Sequence, residues 1–357
     1  MQPEVIIVGG GIAGAMLCFE LSCAGVQVRL IEAATRPGSG VSARSFGWIN
    51  AINSDPEGAP GLFALRRDGL ERFAALNQRC GGALAAASAG GSEGALLWQA
   101  NGALSAALRD KMRVAGYRVD LLQPAQAAGL LPGARLPDLA LHVPQELAVR
   151  PAHVCKILLE RAVSQGAEVI CGQRVDAVAT RSGRVTGVIC DGRLMASPQV
   201  VVAAGLQSRE LLAAFTDPGW LQASSAALVE LSADLAPFVP VVRTPDIELR
   251  SVGSGRFLAV TSAPDPLNPQ AGKAVAQAQV AALQDLFPEA GQVRAVAVQT
   301  GQRALPADGR PRAGRVAAVE GLYVMVGHPG VILAPVMAAS LCDQILGRGG
   351  VPLSEPL

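Results

Sequence analysis

The sequence contains few of the residues on which nucleic-acid-binding, zinc-binding and disulfide-rich proteins depend. Its 30 basic and 29 acidic side chains give a formal net charge of +1, so no basic surface for nucleic acid is expected. The seven cysteines are scattered without CxxC spacing, and only three histidines occur. This pattern argues against structural zinc, against any other metal centre and against a disulfide framework, and it favours a cytoplasmic protein.

Long apolar runs are also missing. The segment most similar to a membrane span, Val5 to Cys18, is 14 residues long and contains four glycines, whereas a span needs about 18 to 20 apolar residues. We therefore expect no membrane span. With 357 residues, 50% of them hydrophobic and 17% charged, the composition predicts a globular protein of about two domains.

The N-terminus predicts a βαβ unit. An apolar strand, Glu4 to Val8, leads into a glycine turn and a helix with apolar spacing through Ala24, and a second strand runs from Val26 to Glu32. Gly9, Gly11 and Gly14 occupy the GxGxxG positions between strand and helix. The first permits the turn, the second lets the backbone approach a pyrophosphate, and the third lets helix and strand pack closely.

An acidic residue follows this unit at the expected place. Glu32 ends the second strand 18 positions after Gly14, where a carboxylate binds ribose hydroxyls. Together these features favour NAD or FAD with an unphosphorylated adenosine ribose. The alternative is a glycine-rich turn with an incidental glutamate.

Three separated stretches, Val5 to Glu32, Pro151 to Gly205 and Arg303 to Leu346, resemble the FAD-dependent D-amino acid oxidase superfamily, which includes glycine oxidase, sarcosine oxidase and D-amino acid dehydrogenase. The resemblance implies an α/β fold in which a Rossmann-like FAD-binding domain carries an inserted α+β substrate domain built on an antiparallel sheet. The implied FAD-binding domain comprises residues 1–44, 145–215 and 300–357, and the implied substrate domain comprises residues 45–144 and 216–299.

The resemblance also implies that the cofactor is FAD, held noncovalently, because no cysteine occurs between Cys190 and Cys342. The segment Gly40 to Asn50 resembles the loop that passes the flavin pyrophosphate and ring, although it could instead be a surface loop that opens the insertion. Val175 is expected in a strand that reads the adenine. The implied cofactor residues are Gly9, Gly11, Ile12, Ala13, Gly14, Glu32, Ala33, Ser42, Arg44, Ser45, Val175, Ala204, Gly205, Gly330, Val331, Ile332 and Leu333.

A second motif indicates the substrate end. Arg303 opens a stretch that resembles the family's Arg-x-x-Pro-x-Asp-Gly-x-Pro signature, which implies that it grips a substrate carboxylate through a bidentate fork. The alternative is an arginine paired with a structural carboxylate beneath the flavin. Trp48 and Glu248 are the other implied substrate contacts. Because Ile247 or Glu248 stands where the family has an aromatic residue, a simple amino acid is a doubtful substrate.

The stretch from Gly327 to Pro335 resembles the family's Gly-His-x-x-x-Gly-x-x-x-Ala-Pro segment, although it is shorter. The resemblance implies a helix whose N-terminal amides face the flavin N1 and O2 edge and stabilise the negative charge that reduction leaves there. His328 is a candidate catalytic residue in this loop. The alternative is a histidine bonded to the backbone of the turn.

These features predict an enzyme that oxidises a C–N bond of an amino acid or secondary amine by hydride transfer to flavin N5 and passes the electrons to oxygen. The expected partners are a small-molecule substrate and an acceptor, with an oligomer left open. Three alternatives remain: a dehydrogenase of the same fold that uses a quinone or protein acceptor, a noncatalytic FAD-binding subunit of a larger complex, and a plain NAD-dependent dehydrogenase.

Overall fold

A computed structural model describes residues 4–86, 92–262, 269–349, 353, 355 and 357. Its α-helices are α1 (Ile12–Cys23), α2 (Pro60–Arg79), α3 (Ala83–Ala86), α4 (Gly102–Val114), α5 (Pro124–Leu130), α6 (Pro151–Ser164), α7 (Ser208–Leu211), α8 (Pro269–Leu286) and α9 (Gly330–Ile345). Its first strands are β1 (Val5–Val8), β2 (Val28–Glu32), β3 (Trp48–Ile49), β4 (Ser92–Leu97), β5 (Asp120–Leu122), β6 (Ala140–Ala148), β7 (Glu168–Cys171), β8 (Ala177–Arg181) and β9 (Arg184–Cys190). The later strands are β10 (Arg193–Ala196), β11 (Gln199–Val202), β12 (Leu221–Ser232), β13 (Val241–Arg243), β14 (Glu248–Gly253), β15 (Arg256–Ser262), β16 (Arg294–Pro306), β17 (Arg312–Arg315) and β18 (Leu322–Val326).

The first sheet has six strands in the order β17-β18-β11-β1-β2-β7, all parallel except β17. Strands β1 and β18 are buried along their whole length, as expected for central strands covered on both faces. Helices α1, α6 and α9 pack on one face, and the three-stranded sheet β10-β9-β8 packs on the other. This arrangement confirms the predicted Rossmann-like architecture.

The second sheet has the strand order β16-β12-β15-β14-β13-β4-β6-β3, with β5 paired to β6. Its pairs are antiparallel apart from β13 with β4. Helix α8 covers one face: Leu283, and Phe287 directly after the helix, lie in one core cluster with Val229 and Phe257. The opposite face, which includes Leu228 and Val260, shares a core with Phe63 of α2 and carries the polar residues Arg303 and Glu248.

The structure contradicts one sequence prediction, the strand at Val175, and it does not test a second one, the division into two domains. Val175 does not lie in a strand, because β8 begins at Ala177; it is a buried residue of the segment between β7 and β8. The predicted domain boundaries near residues 145 and 300 fall inside β6 and β16, so the division of the chain into two domains stays a prediction. Within the described residues, no helix combines the length and the hydrophobicity that a membrane crossing requires.

Candidate flavin and substrate site

Four segments meet at one edge of the first sheet. Strands β1, β2, β11 and β18 run parallel, so their carboxyl ends lie at the same edge. That edge brings together Gly9 to Gly11, Glu32, Ala203 to Gly205 and Gly327 to Gly330. In open α/β sheets this edge is where nucleotide ligands bind.

The turn between β1 and α1 leaves no room for a side chain at Gly9 or Gly14. A Cβ built on Gly14 would lie 1.9 Å from the carbonyl oxygen of Gly9. Gly9 has φ +108°, and a Cβ there would lie 2.7 Å from the carbonyl oxygen of Ala203. Gly11 differs, because the nearest atom to its Cβ would be Ser42 Oγ at 3.4 Å. Gly11 therefore borders a space that a ligand can fill.

Polar groups line this turn in a manner that suits a dinucleotide. The Ser42 hydroxyl accepts a hydrogen bond of 3.1 Å from the Ile12 amide, so the predicted loop reaches the first turn of α1. The first turn of α1 contains no acidic side chain that would repel a phosphate. The Glu32 carboxylate accepts from the amides of Gly10 at 2.6 Å and Ala34 at 2.8 Å. A carboxylate has about four lone-pair sites, so these two bonds leave capacity for ribose hydroxyls.

The N-terminus of α9 lies at the same edge. The helix begins at Gly330, its cap Pro329 provides no side-chain hydrogen bond, and its first turn has no acidic residue. A Cβ on Gly330 would meet no atom within 4 Å. Helix α1 packs against α9. Because α1 and α9 each follow a parallel strand of the first sheet, their N-termini and positive dipole ends lie at the same edge.

The predicted loop also contacts the second sheet. A Cβ on Gly301 of β16 would lie 3.4 Å from side-chain atoms of Val41 and Arg44. Arg44 is itself exposed, Ser45 is half-buried and Ala33 is exposed. Among the predicted α9 residues, the side chains of Ile332 and Leu333 are buried in the core. The Leu333 amide donates to the Pro329 carbonyl oxygen, so Ile332 can offer a cofactor only its backbone amide and Leu333 offers neither group.

The register of the second sheet places Arg303 and Glu248 on one face. Arg303 pairs with Ser224 across β16 and β12, Leu228 pairs with Val260 across β12 and β15, and Val260 pairs with Glu248 across β15 and β14. Directly opposed residues share a face, and so do alternate residues of one strand. Arg303 and Glu248 therefore project from the same side of the sheet as Gly301, which lies against Val41 and Arg44.

Arg303 is held by neutral groups. Its Nη2 donates to Ser224 Oγ at 2.9 Å and to the Ser225 carbonyl at 3.2 Å, and its Nε donates to the Ser224 carbonyl at 3.4 Å. Among the described residues it forms no ion pair with a carboxylate, so the alternative of a structural ion pair is not seen there. Burial lowers the pKa of this guanidinium, which still stays charged at neutral pH.

Arg66, which sequence reasoning missed, lies at the same site. It is on α2, three residues before Gly69, whose Cβ would lie 2.2 Å from the Ile332 carbonyl oxygen. Residues three apart share a helix face, so Arg66 faces the start of α9. The one available signal was its place at the spacing of the apolar residues Phe63, Leu70 and Phe73, all of which are buried.

His328 lies near both arginines. Burial, and then the positive charges of Arg303 and Arg66, lower its pKa to about 4, so its imidazole is neutral at physiological pH. Within the described part of the chain, it forms no hydrogen bond, which leaves the predicted bond to the turn backbone unobserved. Glu248 lies near Arg66 and Arg243, and burial raises its pKa to about 7.

A buried carboxyl holds the backbone that directly follows the segment Gly40 to Asn50. Glu146 on β6 is 1% exposed, and its Oε1 accepts from the amides of Ala51 and Ile52 at 2.9 Å and from the Tyr117 hydroxyl at 2.6 Å. Burial raises the pKa of Glu146 to about 7. Trp48, the other predicted substrate residue, is 6% exposed and packs in the same core as Ala51 and Ile52.

The chain belongs to the family described as DAO, FAD dependent oxidoreductase, which matches residues 4–344. This membership places it among FAD-binding oxidoreductases and confirms the predicted cofactor. The residues fit the cofactor: the glycine turn, the Glu32 carboxylate and the helix N-terminus of α9 offer the cradle, the ribose acceptor and the amide donors that FAD requires.

The similar proteins are named as oxidases. Over 220 residues the chain is 27% identical to 4-methylaminobutanoate oxidase (formaldehyde-forming) of Paenarthrobacter nicotinovorans, a match that covers 59% of this chain and 25% of that protein. The chain thus spans about a quarter of that relative's length. Glycine oxidase of Bacillus cereus has a similar fold, with a TM-score of 0.83, 20% identity and coverage of 100% and 99% of the two chains. Iminodiacetate oxidase of Chelativorans is similar in fold as well, with a TM-score of 0.81 and 23% identity. That match covers 98% of this chain and 97% of the other.

Proposed function

We propose that this protein oxidises a C–N bond of a carboxylate-bearing amine or amino acid with FAD as the electron acceptor. The observation that supports this proposal is Arg303, a half-buried guanidinium that is oriented by Ser224 and Ser225 and has no carboxylate partner among the described residues. It projects from the sheet face that contacts the flavin loop. A planar guanidinium in this setting suits a substrate carboxylate.

The chain's own residues bind and orient. Arg303 would fix the carboxylate, and Ser224 would hold the guanidinium in place. The buried face around Glu248 would exclude water from the carbon that loses its hydride. FAD supplies the hydride-accepting chemistry when it is bound. The amides at the start of α9 would stabilise negative charge on the cofactor's pyrimidine edge.

Electron transfer to oxygen is part of the proposal, because the similar proteins include enzymes named as oxidases. Photoreduction without air, followed by admission of air, separates this from transfer to another carrier. Fast reoxidation with peroxide release supports the oxidase. Slow reoxidation that a quinone accelerates would replace the oxidase by a dehydrogenase of the same fold.

The substrate class is tested by anaerobic bleaching of the flavin with a panel of amines and amino acids. We expect bleaching by carboxylate-bearing amines and not by their decarboxylated counterparts. Arg303→Met should lower kcat/KM for these substrates by about 100-fold, the effect of losing a charge-assisted bidentate contact. Arg303→Lys should recover part of the loss, because the charge remains without the fork.

Arg310→Met is the matched control, since Arg310 is an exposed arginine in the turn after β16. It should leave kcat/KM unchanged. A protein that holds yellow FAD and is bleached by no amine or amino acid would contradict the proposal and favour a noncatalytic FAD-binding subunit.

A further inference from the structure

Arg66 is a second cation at the candidate substrate site, and its environment leaves it short of partners. Its Nη1 donates to Asn50 Oδ1 at 3.3 Å, a long hydrogen bond. Its Nε is buried and has no hydrogen-bond partner. Asn50 is oriented for this contact because its Nδ2 donates to the Trp48 carbonyl at 3.2 Å, which turns the amide oxygen toward the guanidinium.

The charge of Arg66 has no direct counter-ion. Among the described residues, it forms no ion pair, and the carboxyls that interact with it electrostatically are Glu146 and Glu248. The Glu146 oxygen Oε1 is already engaged by two amides and the Tyr117 hydroxyl. Burial raises the pKa of both carboxyls to about 7, so a large fraction of each is uncharged at neutral pH. A desolvated cation without a counter-ion is unfavourable, and an anionic ligand group would relieve that cost.

Arg66 and Arg303 approach one site from different elements. Arg66 is on α2, against the start of α9, while Arg303 projects from the second sheet. Both are close enough to His328 to act on it electrostatically. Two guanidiniums that form no ion pair among the described residues are therefore both near His328.

We propose that Arg66 binds a second carboxylate of the substrate, so that the enzyme acts on amines that carry two carboxylates. This inference rests on the proposed function and specifies its substrate class. One carboxylate contacts Arg303 and the other contacts Arg66, with the amine between them. Glu248, which shares the face of Arg303 and lies near Arg66, is placed to contact that amine.

The test uses pairs of substrates that have nearly the same shape and differ by one negative charge, because one carboxylate of the diacid is replaced by an amide. Aspartate is compared with asparagine, and glutamate with glutamine, with the D and L enantiomers of each tested separately. Iminodiacetate is compared with its monoamide. The holoenzyme should be reduced by the preferred diacid with a kcat/KM about 30-fold higher than by its amide, the value of one charge-assisted contact. Succinate and succinamate, which have no amine to oxidise, give a second readout through calorimetric binding to the holoenzyme.

The variant Arg66→Met should abolish the preference for the diacid to within about 3-fold and should reduce the affinity for succinate without changing that for succinamate. Arg66→Lys should keep part of the preference, because it keeps the charge. Arg72→Met is the control, since Arg72 is an exposed arginine of the same helix that pairs with Asp68. It should change neither readout. FAD content and thermal unfolding identify a variant that has lost its fold.

The outcomes separate the two proposals. If amines reduce the flavin but diacid and amide are equal, or if Arg66→Met lowers both alike, the second carboxylate site is wrong and the oxidation of carboxylate-bearing amines stands. If no amine reduces the flavin but succinate still binds more tightly than succinamate in an Arg66-dependent manner, the diacid site stands and the proposed oxidation fails.

Discussion

The cofactor edge of the first sheet and the polar face of the second sheet are built in different ways. The cofactor edge consists mainly of backbone: Gly9, Gly14 and the start of α9 provide tight turns and amides within short stretches of sequence. The polar face carries the ionisable side chains of Arg303 and Glu248, and α2 brings Arg66 to it. Arg66 interacts electrostatically with Glu248, and both arginines act on His328.

This difference determines how each region responds to substitution. At the cofactor edge an added methyl group meets a carbonyl oxygen, so the penalty is steric and does not depend on pH. On the polar face and beneath it the important quantities are burial and charge, so the effects depend on pH and on the charge of the ligand. The effects of substitutions in the two regions should therefore differ both in their dependence on pH and in their size.

The largest effect is expected for Gly14→Ala. The new Cβ would lie 1.9 Å from the Gly9 carbonyl oxygen, so α1 must move away from β1 and the turn must open. We expect a loss of about 3 kcal/mol in the free energy of unfolding, at the upper end of overpacking, together with loss of bound FAD. Urea unfolding and the flavin absorbance of the purified protein measure both.

Gly61→Ala on α2 is the control, because no atom lies within 4 Å of its Cβ. It should keep FAD and gain slightly in stability from the helix propensity of alanine. Normal FAD content in Gly14→Ala at every pH would contradict the steric account of the cofactor edge.

The second prediction concerns Glu146, whose pKa burial raises from 4.5 to about 7. The folded protein retains this proton at a pH where the unfolded chain has lost it, so stability falls as the pH rises from about 4.5 to 7. The loss from this group is about 3 kcal/mol over the interval. Glu146→Gln keeps an acceptor for Ala51, Ile52 and Tyr117 and should remove this part of the pH dependence.

The measurement is the free energy of unfolding in urea at several pH values between 5 and 8. Glu248 titrates in the same direction and its contribution should persist in Glu146→Gln. Glu71→Gln, at an exposed site, serves as the control and should match the parent curve. If the Glu146→Gln curve has the parent's slope, the carboxyl is already ionised in the folded protein.

The same contrast explains what could be predicted from the sequence. The βαβ unit with its glycines and Glu32 follows from local patterns in consecutive residues, and the helix after Gly327 follows from the resemblance to the family. The structure has both, and the helix begins at Gly330. Arg66 and Glu146 could not be identified in this way, because their partners are distant in sequence and depend on how α2 and β6 pack. Asn50 is 16 residues from Arg66, and Tyr117 and Ala51 are 29 and 95 residues from Glu146. Val175 was placed in a strand because its neighbours favour one, yet pairing of β8 with β9 begins only at Ala177.

The smallest effect is expected for His328→Asn, which tests whether the polar face works by charge or by proton transfer. A general base is most effective when its pKa lies near the working pH, and His328, with a pKa of about 4, is a poor acceptor for an ammonium proton. We expect kcat/KM to change by less than about 10-fold, with the same pH profile above pH 5.5, whereas loss of a general base costs about 100-fold or more. In Arg303→Met the His328 pKa should rise, because one of the two charges that depress it is gone, and NMR titration of the imidazole measures that shift directly. A loss of 100-fold in His328→Asn, with a changed pH profile, would mean that this face supplies a base and that its arginines serve to tune it.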